Sequence, residues 1–306
     1  MVLIMQDWYT PYHIPSHECL SIGGAPSQGI VYAINEDVVV KLPFQYPIPY
    51  SVDTAADRGR EDSLQAFELL RKEKIVYKVL AQHPHPDIVR CVTVESAPCL
   101  FIERVATPLR EARAEADERL CKRWIRQLLN AIVMLAELGY TQGDLAAQNY
   151  GIDKNDCLKI YDFGSVMSKS NDAFHCTMEH DQSGLSDCLY FLLSGVDPLD
   201  GANSWDEVRR IKLELKEGRY PIAPEAGALK EVLLDGWMGR HPTRAFRETR
   251  KLVESIIGAG DDDPLHVAPS KEWKAMEVEV VKWLETATWG PNWINEEEFR
   301  KRWGDL

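Results

Sequence analysis

The sequence predicts an α+β fold in which a small strand-rich part precedes a larger, mainly helical part. The apolar β-branched run at 38–40 is typical of a strand. Residues 63–80 and 116–138 carry apolar side chains at helical spacing, which indicates long amphipathic helices. The chain has 306 residues, of which 45% are hydrophobic, so it can bury substantial cores in two lobes. No third domain is required.

A glycine-rich loop opens the strand-rich part. Gly24 and Gly29 lie in this loop, which runs into an apolar segment that includes Val31. The next run includes Val39 and ends in Lys41, and a single Lys at the end of a buried β-branched run directs an ammonium group out of the sheet. The alternative interpretation of this Lys is an ordinary strand end.

The segment after Lys41 is predicted to be a loop that precedes a helix. Residues 43–60 contain three prolines followed by polar residues, which is typical of an inserted loop. The helix predicted for 63–80 ends before a His-Pro-Asp-Ile-Val turn at 85–89.

Three more patterns predict the elements of the later part. Residues 99–105 and 157–161 include apolar runs of strand length. Residues 181–195 are rich in apolar side chains and end in Ser-Gly, which indicates a buried helix that stops at the glycine.

An Asp, an Asn and a second Asp stand at the spacing of a phosphoryl-transfer site, at positions 144, 149 and 162. Transfer of a γ-phosphoryl group needs a carboxylate that faces the acceptor hydroxyl and oxygen ligands that hold Mg²⁺ against the phosphates. Asp144 suits the first role, whereas Asn149 and Asp162 suit the second. Either motif alone is common by chance or in turns, but together they flank the predicted strand 157–161 and favour a functional interpretation.

Residues 144–149 (Asp-Leu-Ala-Ala-Gln-Asn) and 162–164 (Asp-Phe-Gly) resemble the catalytic loop and the metal-binding motif of the protein-kinase fold. The resemblance extends in order over most of the chain. It implies a bilobal protein-kinase-like fold, with an N-lobe over 1–103 and a C-lobe over 104–306. The compact chain is also similar to short kinase-like proteins of filamentous fungi.

The resemblance implies ATP and Mg²⁺ as cofactors and gives roles to single residues. Lys41 would pair with Glu73, or with the competing Glu68, and would hold the α- and β-phosphates. Asp144 would orient the acceptor hydroxyl, and the Mg²⁺ ligands keep the roles given above. The remaining nucleotide contacts would come from the glycine-rich loop, the sheet and the segment that links the lobes, at Gly24, Gly29, Val31, Val39, Ile102, Glu103 and Val105.

The segment 181–195 resembles the central buried helix of the large lobe, in which Asp181 would bond the backbone amides of the catalytic loop. A buried carboxylate requires hydrogen-bond donors. We therefore expect Asp181 to be a satisfied acceptor and not a catalytic acid.

Several positions in the catalytic loop depart from the family. Gln142-Gly143 replace the usual His-Arg, so switching by phosphorylation of the activation loop is not expected. Ala146 and Gln148 occupy positions where protein kinases place a cation that steadies the γ-phosphate. Its loss should raise the barrier by at most about 3–4 kcal/mol, which slows transfer without forbidding it.

The nucleotide slot also departs from the family. Pro26 lies in the glycine-rich loop and has no N–H to offer a phosphate. Val39 is larger than the usual Ala, and extra methyl groups in a closed slot cost affinity. Both changes predict weak nucleotide binding.

The segment after the Asp-Phe-Gly motif is short, because only residues 165–180 separate it from Asp181 and they hold no Ala-Pro-Glu motif. In protein kinases a longer interval builds the platform for a peptide substrate. The short segment and Gly143 are similar to small-molecule kinases of the aminoglycoside and choline type, whereas the Asp-Phe-Gly motif and the helix that starts at Asp181 are similar to protein kinases. The acceptor is therefore open, and is an unknown protein or a small molecule. We expect Ser168, Ser170 and Thr177 to be polar loop residues and not phosphorylation sites.

Composition excludes several classes of partner. The net charge of −13 argues against sequence-independent binding to nucleic acid or to an anionic membrane. The sequence has no run of 18 apolar residues and no signal peptide, so we expect a cytoplasmic protein. Its seven scattered cysteines fit reduced thiols better than disulfides or a zinc site.

The last forty or so residues, after the acidic break at 261–263, hold five of the nine tryptophans. We expect helices that dock on the large lobe, because an exposed tail rarely carries so many aromatic side chains. The alternative is a surface for a protein partner.

Three functions follow from these patterns. The first is an ATP- and Mg²⁺-dependent phosphotransferase that acts on a hydroxyl acceptor. The second is a pseudokinase that serves as a binding scaffold with weak or no catalysis. The third is a binding module for another nucleotide or metabolite in the interlobe cleft.

Overall fold

The computed structural model describes residues 19–22, 29–46, 54–92, 94, 97–242, 244–258, 270–287 and 293–303. The side chains at 19–22, 54–57 and 270–273 are outside this description. Gly24, Pro26 and Trp289 therefore lie outside the described residues, as does the side chain of Trp273.

The helices and strands of the described residues run in the following order. The strands are β1 (Cys19–Ile22), β2 (Ile30–Ala33), β3 (Val38–Leu42), β4 (Cys91–Val92), β5 (Leu100–Glu103), β6 (Thr107–Pro108), β7 (Tyr140–Thr141), β8 (Tyr150–Ile152), β9 (Leu158–Ile160) and β10 (Met167–Ser168). The helices are α1 (Thr54–Gln82), α2 (Leu109–Glu115), α3 (Glu118–Glu137), α4 (Phe174–Ser194), α5 (Trp205–Lys216), α6 (Lys230–Trp237), α7 (Phe246–Ile257), α8 (Ser270–Thr286) and α9 (Glu296–Trp303). The chain is thus a mixed α+β protein with strands concentrated early and helices later, as the sequence predicts.

The chain divides into two compact units. The N-terminal unit comprises Met1–Pro84, Arg90–Arg104 and Ala268–Leu306, whereas the C-terminal unit comprises His85–Val89 and Val105–Val267. The change of unit after residue 104 lies close to the predicted boundary of 103. The sequence prediction placed residues 268–306 in the C-lobe, whereas this division groups them with the N-terminal unit.

A five-stranded antiparallel sheet with the order β1-β2-β3-β5-β4 forms the centre of the N-terminal unit. Successive side chains of a strand point to opposite faces. One face of β3 carries Val38, Val40 and Leu42, which are almost fully buried. They share a core with Phe101 and with Trp283 of α8.

The C-terminal helices pack against the sheet and α1 of this unit, whereas the sequence predicted that they dock on the large lobe. The ring of Trp283 meets that of Phe101 edge-on at a centroid distance of 5.5 Å. The ring of Phe299 in α9 lies 5.4 Å from that of Phe67 in α1. The physical reason is that one apolar face of the sheet and the side of α1 need cover, and α8 and α9 supply it.

Helix α1 is longer than predicted. It begins at Thr54, so the last seven residues of the loop predicted for 43–60 are helical. The three prolines that suggested a loop all lie before position 50, and no proline follows them until the helix has ended. Ser63 donates to the carbonyl of Gly59 and accepts from the backbone N–H of Tyr46, which fixes the helix against the strand that precedes it.

The C-terminal unit is built around helices α3 and α4. Asp117 caps α3 by accepting from the N–H of Leu120 at 2.8 Å. The predicted helix 116–138 is thus present with its start two residues later. Helix α4 ends at Gly195, whose φ is 76°, as the Ser-Gly stop predicts.

Helix α4 begins at Phe174, not at Asp181 as predicted. Thr177 therefore lies in a helix and not in a loop, and its hydroxyl donates to the carbonyl of Ala173. No helix in the described part of the chain is long and apolar enough to cross a membrane.

Candidate active site

The N-terminal unit contains a buried ion pair between Lys41 of β3 and Glu73 of α1. Nζ of Lys41 lies 2.8 Å from Oε2 of Glu73, and the two side chains are 6% and 1% exposed. The competing candidate Glu68 is exposed and pairs instead with Lys72 on its own helix. Removing one residue of such a buried pair destabilises a protein, because the charge of the other residue loses its buried counter-ion.

Three of the predicted nucleotide contacts share one face of the sheet with Lys41. Val31 stands directly opposite Lys41, and Val39 stands directly opposite Ile102. Val39 and Lys41 are two residues apart in β3, so all four side chains lie on the same face. This face is the one opposite to the core that contains Trp283.

The other predicted nucleotide contacts do not share one position in the structure. Gly24 is outside the described residues, whereas Gly29 precedes β2 and passes close to β3. A Cβ at residue 29 would lie 2.2 Å from the carbonyl oxygen of Leu42, so strand packing explains this glycine without a ligand. Glu103 is engaged with Arg90, to which it donates a backbone N–H and from which its carboxylate accepts one. Val105 belongs to the C-terminal unit.

The C-terminal unit brings Asp144 and Asn149 together. A short 3₁₀ helix over Ala147–Asn149 folds the Asn side chain back on the loop. Its Nδ2 donates to the backbone carbonyl of Asp144 at 2.7 Å and to Oδ2 of Asp144 at 2.9 Å. Because both amide hydrogens face Asp144, the Oδ1 oxygen is the atom of Asn149 that can ligate a cation.

Asp162, the second predicted metal ligand, has a backbone conformation that is uncommon for a residue with a side chain. Its φ is 64°, in the left-handed region. Such a conformation persists only where surrounding contacts hold it, and it is concentrated at functional sites. The backbone carbonyl of Asp162 accepts a hydrogen bond from Nε2 of Gln142 at 2.9 Å.

Gln142 joins the two acidic motifs through one buried side chain. While its Nε2 bonds Asp162, its Oε1 accepts from the backbone N–H of Asp144 at 2.6 Å. An amide can donate and accept at once, which a carboxylate cannot do. The sequence interpretation treated Gln142 only as a missing His and overlooked this contact. The signal available in the sequence was the place of this amide side chain directly before Gly143 and Asp144, where it can bond the backbone of the loop.

The glycine at position 143 is required by space and by backbone conformation. Its φ is 84°, and a Cβ there would lie 2.1 Å from the carbonyl oxygen of Ser165. The usual Arg is therefore excluded from this position by the path of the chain. A Cβ at Gly184 would likewise lie 2.4 Å from the carbonyl oxygen of Leu145, so α4 lies directly against the loop.

Asp181 supports the loop from α4. Its carboxylate accepts from the backbone N–H groups of Gln142 at 2.8 Å and of Gly143 at 2.9 Å. Burial raises the pKa of Asp181 to about 7, although the two hydrogen bonds act in the opposite direction. Asp181 thus accepts from the loop amides, as the sequence predicts.

The segment after the Asp-Phe-Gly motif returns at once to the body of the unit. Strand β10 pairs with β7, so that Met167 faces Thr141 and Ser168 faces Tyr140. The N–H of Lys169 donates to the carbonyl of Gly139, and α4 begins at 174. Nine residues, 165–173, are all that separate the motif from α4.

A buried charged cluster beneath β9 was not anticipated from the sequence. Burial raises the pKa of Asp87 to about 7 and lowers that of His85 to about 4. Nζ of Lys159 in β9 lies 3.8 Å from Oδ2 of Asp153. The N–H of Ile160 donates to the carbonyl of Asp87, which ties this cluster to the strand that leads into the Asp-Phe-Gly motif.

The donors available for a metal ion are oxygen atoms. Within the described residues, no group of three or more His, Cys, Asp or Glu side chains is placed to hold one. Mg²⁺ is commonly bound by one or two carboxylates together with substrate phosphates. Asp162 and Asn149 offer oxygen donors of this kind, and bound nucleotide would supply the phosphate oxygens.

The search for relatives adds no family to these observations. No family model matches the chain, and no curated protein matches it either. Membership of the kinase-like superfamily therefore rests on the motifs and on the contacts described above, and stays a proposal.

Proposed function

We propose that this chain is an ATP- and Mg²⁺-dependent phosphotransferase of the protein-kinase-like fold that transfers the γ-phosphoryl group to a hydroxyl acceptor. The observation that carries the proposal is the connected set formed by Asp144, Asn149 and Asp162. Asn149 bonds Asp144 directly, and Gln142 links the backbone groups of Asp144 and Asp162. Phosphoryl transfer is catalysed mostly by positioning and charge neutralisation, and this set offers both.

The proposal gives each residue a role that matches its chemistry. Asp144 orients the acceptor hydroxyl and takes up its proton as the bond to phosphorus forms. Asp162 and Oδ1 of Asn149 hold Mg²⁺, which neutralises charge on the phosphates. Lys41, kept in place by Glu73, holds the α- and β-phosphates.

The two compact units support a bilobal interpretation. The strand-rich unit carries Lys41 and Glu73, and the helical unit carries the acidic motifs, which is the division expected of a kinase-like N-lobe and C-lobe. Fold alone does not establish activity.

The short segment at 165–173 favours a small hydroxyl compound over a peptide as the acceptor. This segment is occupied by its pairing with β7 and by the turn into α4, which leaves few residues to support an extended substrate chain. Supplying a protein acceptor and a small hydroxyl compound in the same transfer assay tests this preference.

A pseudokinase is the second candidate, and it is favoured by Ala146 and Gln148. These residues stand where the resemblance expects a cation for the γ-phosphate. A pseudokinase of this kind would bind nucleotide weakly or not at all and would present its surface to a partner.

The deciding experiment measures nucleotide binding first and turnover second. Binding of MgATP at about 100 times its Kd should stabilise the protein by about 2.7 kcal/mol, visible as a higher melting temperature. ATP turnover should then be lost in Asp144→Asn, which keeps the shape of the side chain, and retained in the exposed control Asp206→Asn. A shift without turnover would favour the pseudokinase, and no shift at all would remove the phosphotransferase.

A further inference from the structure

Tyr161 connects the two backbone segments that carry the proposed Mg²⁺ ligands. It lies between the end of β9 and Asp162, and its N–H donates to the carbonyl of Asn149 at 3.1 Å. This bond continues the antiparallel pairing of β8 and β9, in which Tyr150 stands opposite Ile160. The backbone of Tyr161 therefore limits how far the Asp-Phe-Gly motif and Asn149 can move apart.

The side chain of Tyr161 makes a second connection to the same loop. Its hydroxyl oxygen lies 3.0 Å from the carbonyl oxygen of Gln148 and 3.1 Å from that of Tyr150. A Tyr hydroxyl is protonated at neutral pH and has one hydrogen, so the two carbonyls share this donor. These carbonyls belong to the residues on either side of Asn149. The side chain of Tyr161 thus spans the backbone around Asn149.

Asn149 is held at both ends by these contacts. Its side-chain Nδ2 donates to Asp144, whereas its own carbonyl and the two neighbouring carbonyls accept from Tyr161. The atom of Asn149 that can ligate a cation is Oδ1. Bonds to the backbone and to the side chain therefore place this oxygen together.

The backbone of Asp162 is also held on both sides. Tyr161 precedes it and is bonded to the loop, and the carbonyl of Asp162 itself accepts from Gln142 at 2.9 Å. A left-handed conformation such as its φ of 64° persists only where neighbouring contacts hold it. A functional site requires its groups to stay within about 0.5 Å of the productive geometry. A residue that holds both Asn149 and Asp162 therefore bears on the affinity for a cation.

We propose that Tyr161 is a positioning residue of the Mg²⁺ site, whose hydroxyl fixes Asn149 relative to Asp162. It acts through these two ligands and is not a ligand itself. The inference rests on the proposed function, which assigns Mg²⁺ to both residues. A Phe at position 161 would keep the ring and the backbone bond but lose the donor. Replacing a residue that holds metal ligands in place typically lowers metal affinity by about 10–100-fold.

The test measures the Mn²⁺ concentration that the full chain needs to bind mant-ATP, a fluorescent ATP analogue, and it requires no acceptor. Mn²⁺ prefers the same oxygen ligands as Mg²⁺. In Tyr161→Phe, the Mn²⁺ concentration for half-maximal binding should rise about tenfold. At saturating Mn²⁺, the Kd of the analogue should stay within about twofold of that of the wild type. The melting temperature without nucleotide should fall by at most about 4 °C, as for the loss of one hydrogen bond.

Two further variants serve as controls. Tyr190→Phe removes a hydroxyl that likewise donates to a backbone carbonyl, that of Pro221 at 3.4 Å, in the same unit but outside the acidic motifs. It should change the Mn²⁺ requirement by less than about twofold, because separate sites act independently. Tyr161→4-aminophenylalanine supplies an amino group that can donate to both carbonyls. It should restore the wild-type Mn²⁺ requirement to within about threefold.

Several results would overturn the inference. An equal Mn²⁺ requirement in the wild type and in Tyr161→Phe would remove Tyr161 from the metal site and leave the proposed function intact. A melting temperature lowered by more than about 10 °C, or an unrestored Mn²⁺ requirement with the amino variant, would mean that Tyr161 supports the fold and not the ligands. Wild-type protein that binds no mant-ATP, or binds it equally well without Mn²⁺, would overturn the proposed metal site and the inference with it.

Discussion

The side-chain amide of Asn149 holds both the backbone carbonyl and the carboxylate of Asp144, at 2.7 and 2.9 Å. One residue thus fixes the position of the proposed acceptor-orienting carboxylate while its own oxygen stays available for a cation.

Replacement of Asn149 by Ala should weaken the use of Mg²⁺. The variant loses one oxygen ligand and the bonds that hold Asp144, so the Mg²⁺ concentration for half-maximal turnover should rise about 10–100-fold. Titration of turnover with Mg²⁺ measures this, with Asn155→Ala in an exposed turn as the control. An unchanged Mg²⁺ requirement would remove Asn149 from the metal site.

Replacement of Gly143 by Ala should destabilise the protein more than the same change at Gly201. Both residues have positive φ values, 84° and 82°, but a Cβ at 143 would meet the Ser165 carbonyl at 2.1 Å, whereas nothing lies within 4 Å at 201. We expect about 1 kcal/mol for the backbone strain at 201 and more than about 3 kcal/mol at 143. Urea denaturation of both variants measures the difference. Equal losses would mean that the clash at Ser165 relaxes freely.

Replacement of Lys41 by Met should lower the free energy of unfolding by about 3–5 kcal/mol, because it removes the cation of a buried ion pair and leaves the charge of Glu73 in place. Lys72→Met removes an exposed pair with Glu68 and should cost at most about 0.5 kcal/mol. Thermal and urea denaturation without nucleotide give both values. The double change Lys41→Met with Glu73→Leu should recover part of the loss, and no recovery would argue against the pair as its cause.

The carboxyl of Asp187 should make stability fall as pH rises. Burial raises its pKa from 3.8 to about 7, although Nε1 of Trp237 donates to it at 2.8 Å. The folded state therefore holds a proton that the unfolded state releases between about pH 4 and pH 7, and the stability that this gives is lost as pH rises through 7. Asp187→Asn keeps the acceptor for Trp237 but removes the titration.

The measurement compares the unfolding free energies of wild type and Asp187→Asn at about pH 5 and about pH 8. The unfolding free energy of the variant should rise relative to that of the wild type at the higher pH. Asp206→Asn, at an exposed position, should show no such change. If the wild type and Asp187→Asn differed in unfolding free energy by the same amount at both pH values, this result would contradict the raised pKa.

Several local features of this protein could be predicted from its sequence. Lys41 at the end of a β-branched run and Glu73 on an amphipathic helix were expected to pair, and they do. Asp181 was expected to accept loop amides, and it does. Both expectations came from the order of motifs that resembles the protein-kinase fold, whereas periodicity alone indicates only the face of a strand or helix on which a side chain lies.

Features that depend on distant parts of the chain were not accessible. Periodicity shows that a helix such as α8 has an apolar face, but it does not show which surface that face will cover, so the docking of Trp283 was assigned to the wrong unit. The contacts of Gln142 depend on the path of Asp162, twenty residues away. The early starts of α1 and α4 reflect tertiary packing that extends a helix beyond its most periodic residues.

The N-terminal unit is closed by residues that lie almost at the other end of the chain. During synthesis on a ribosome, the stretch from Val105 to Val267 can therefore fold before the N-terminal unit has all of its core, because it is made before α8 and α9. The strands β1 to β5 must wait, with one apolar face uncovered, until α8 and α9 have been made. Chains that stop before α8 should for this reason expose the apolar face of β3 and β5 that Trp283 otherwise covers.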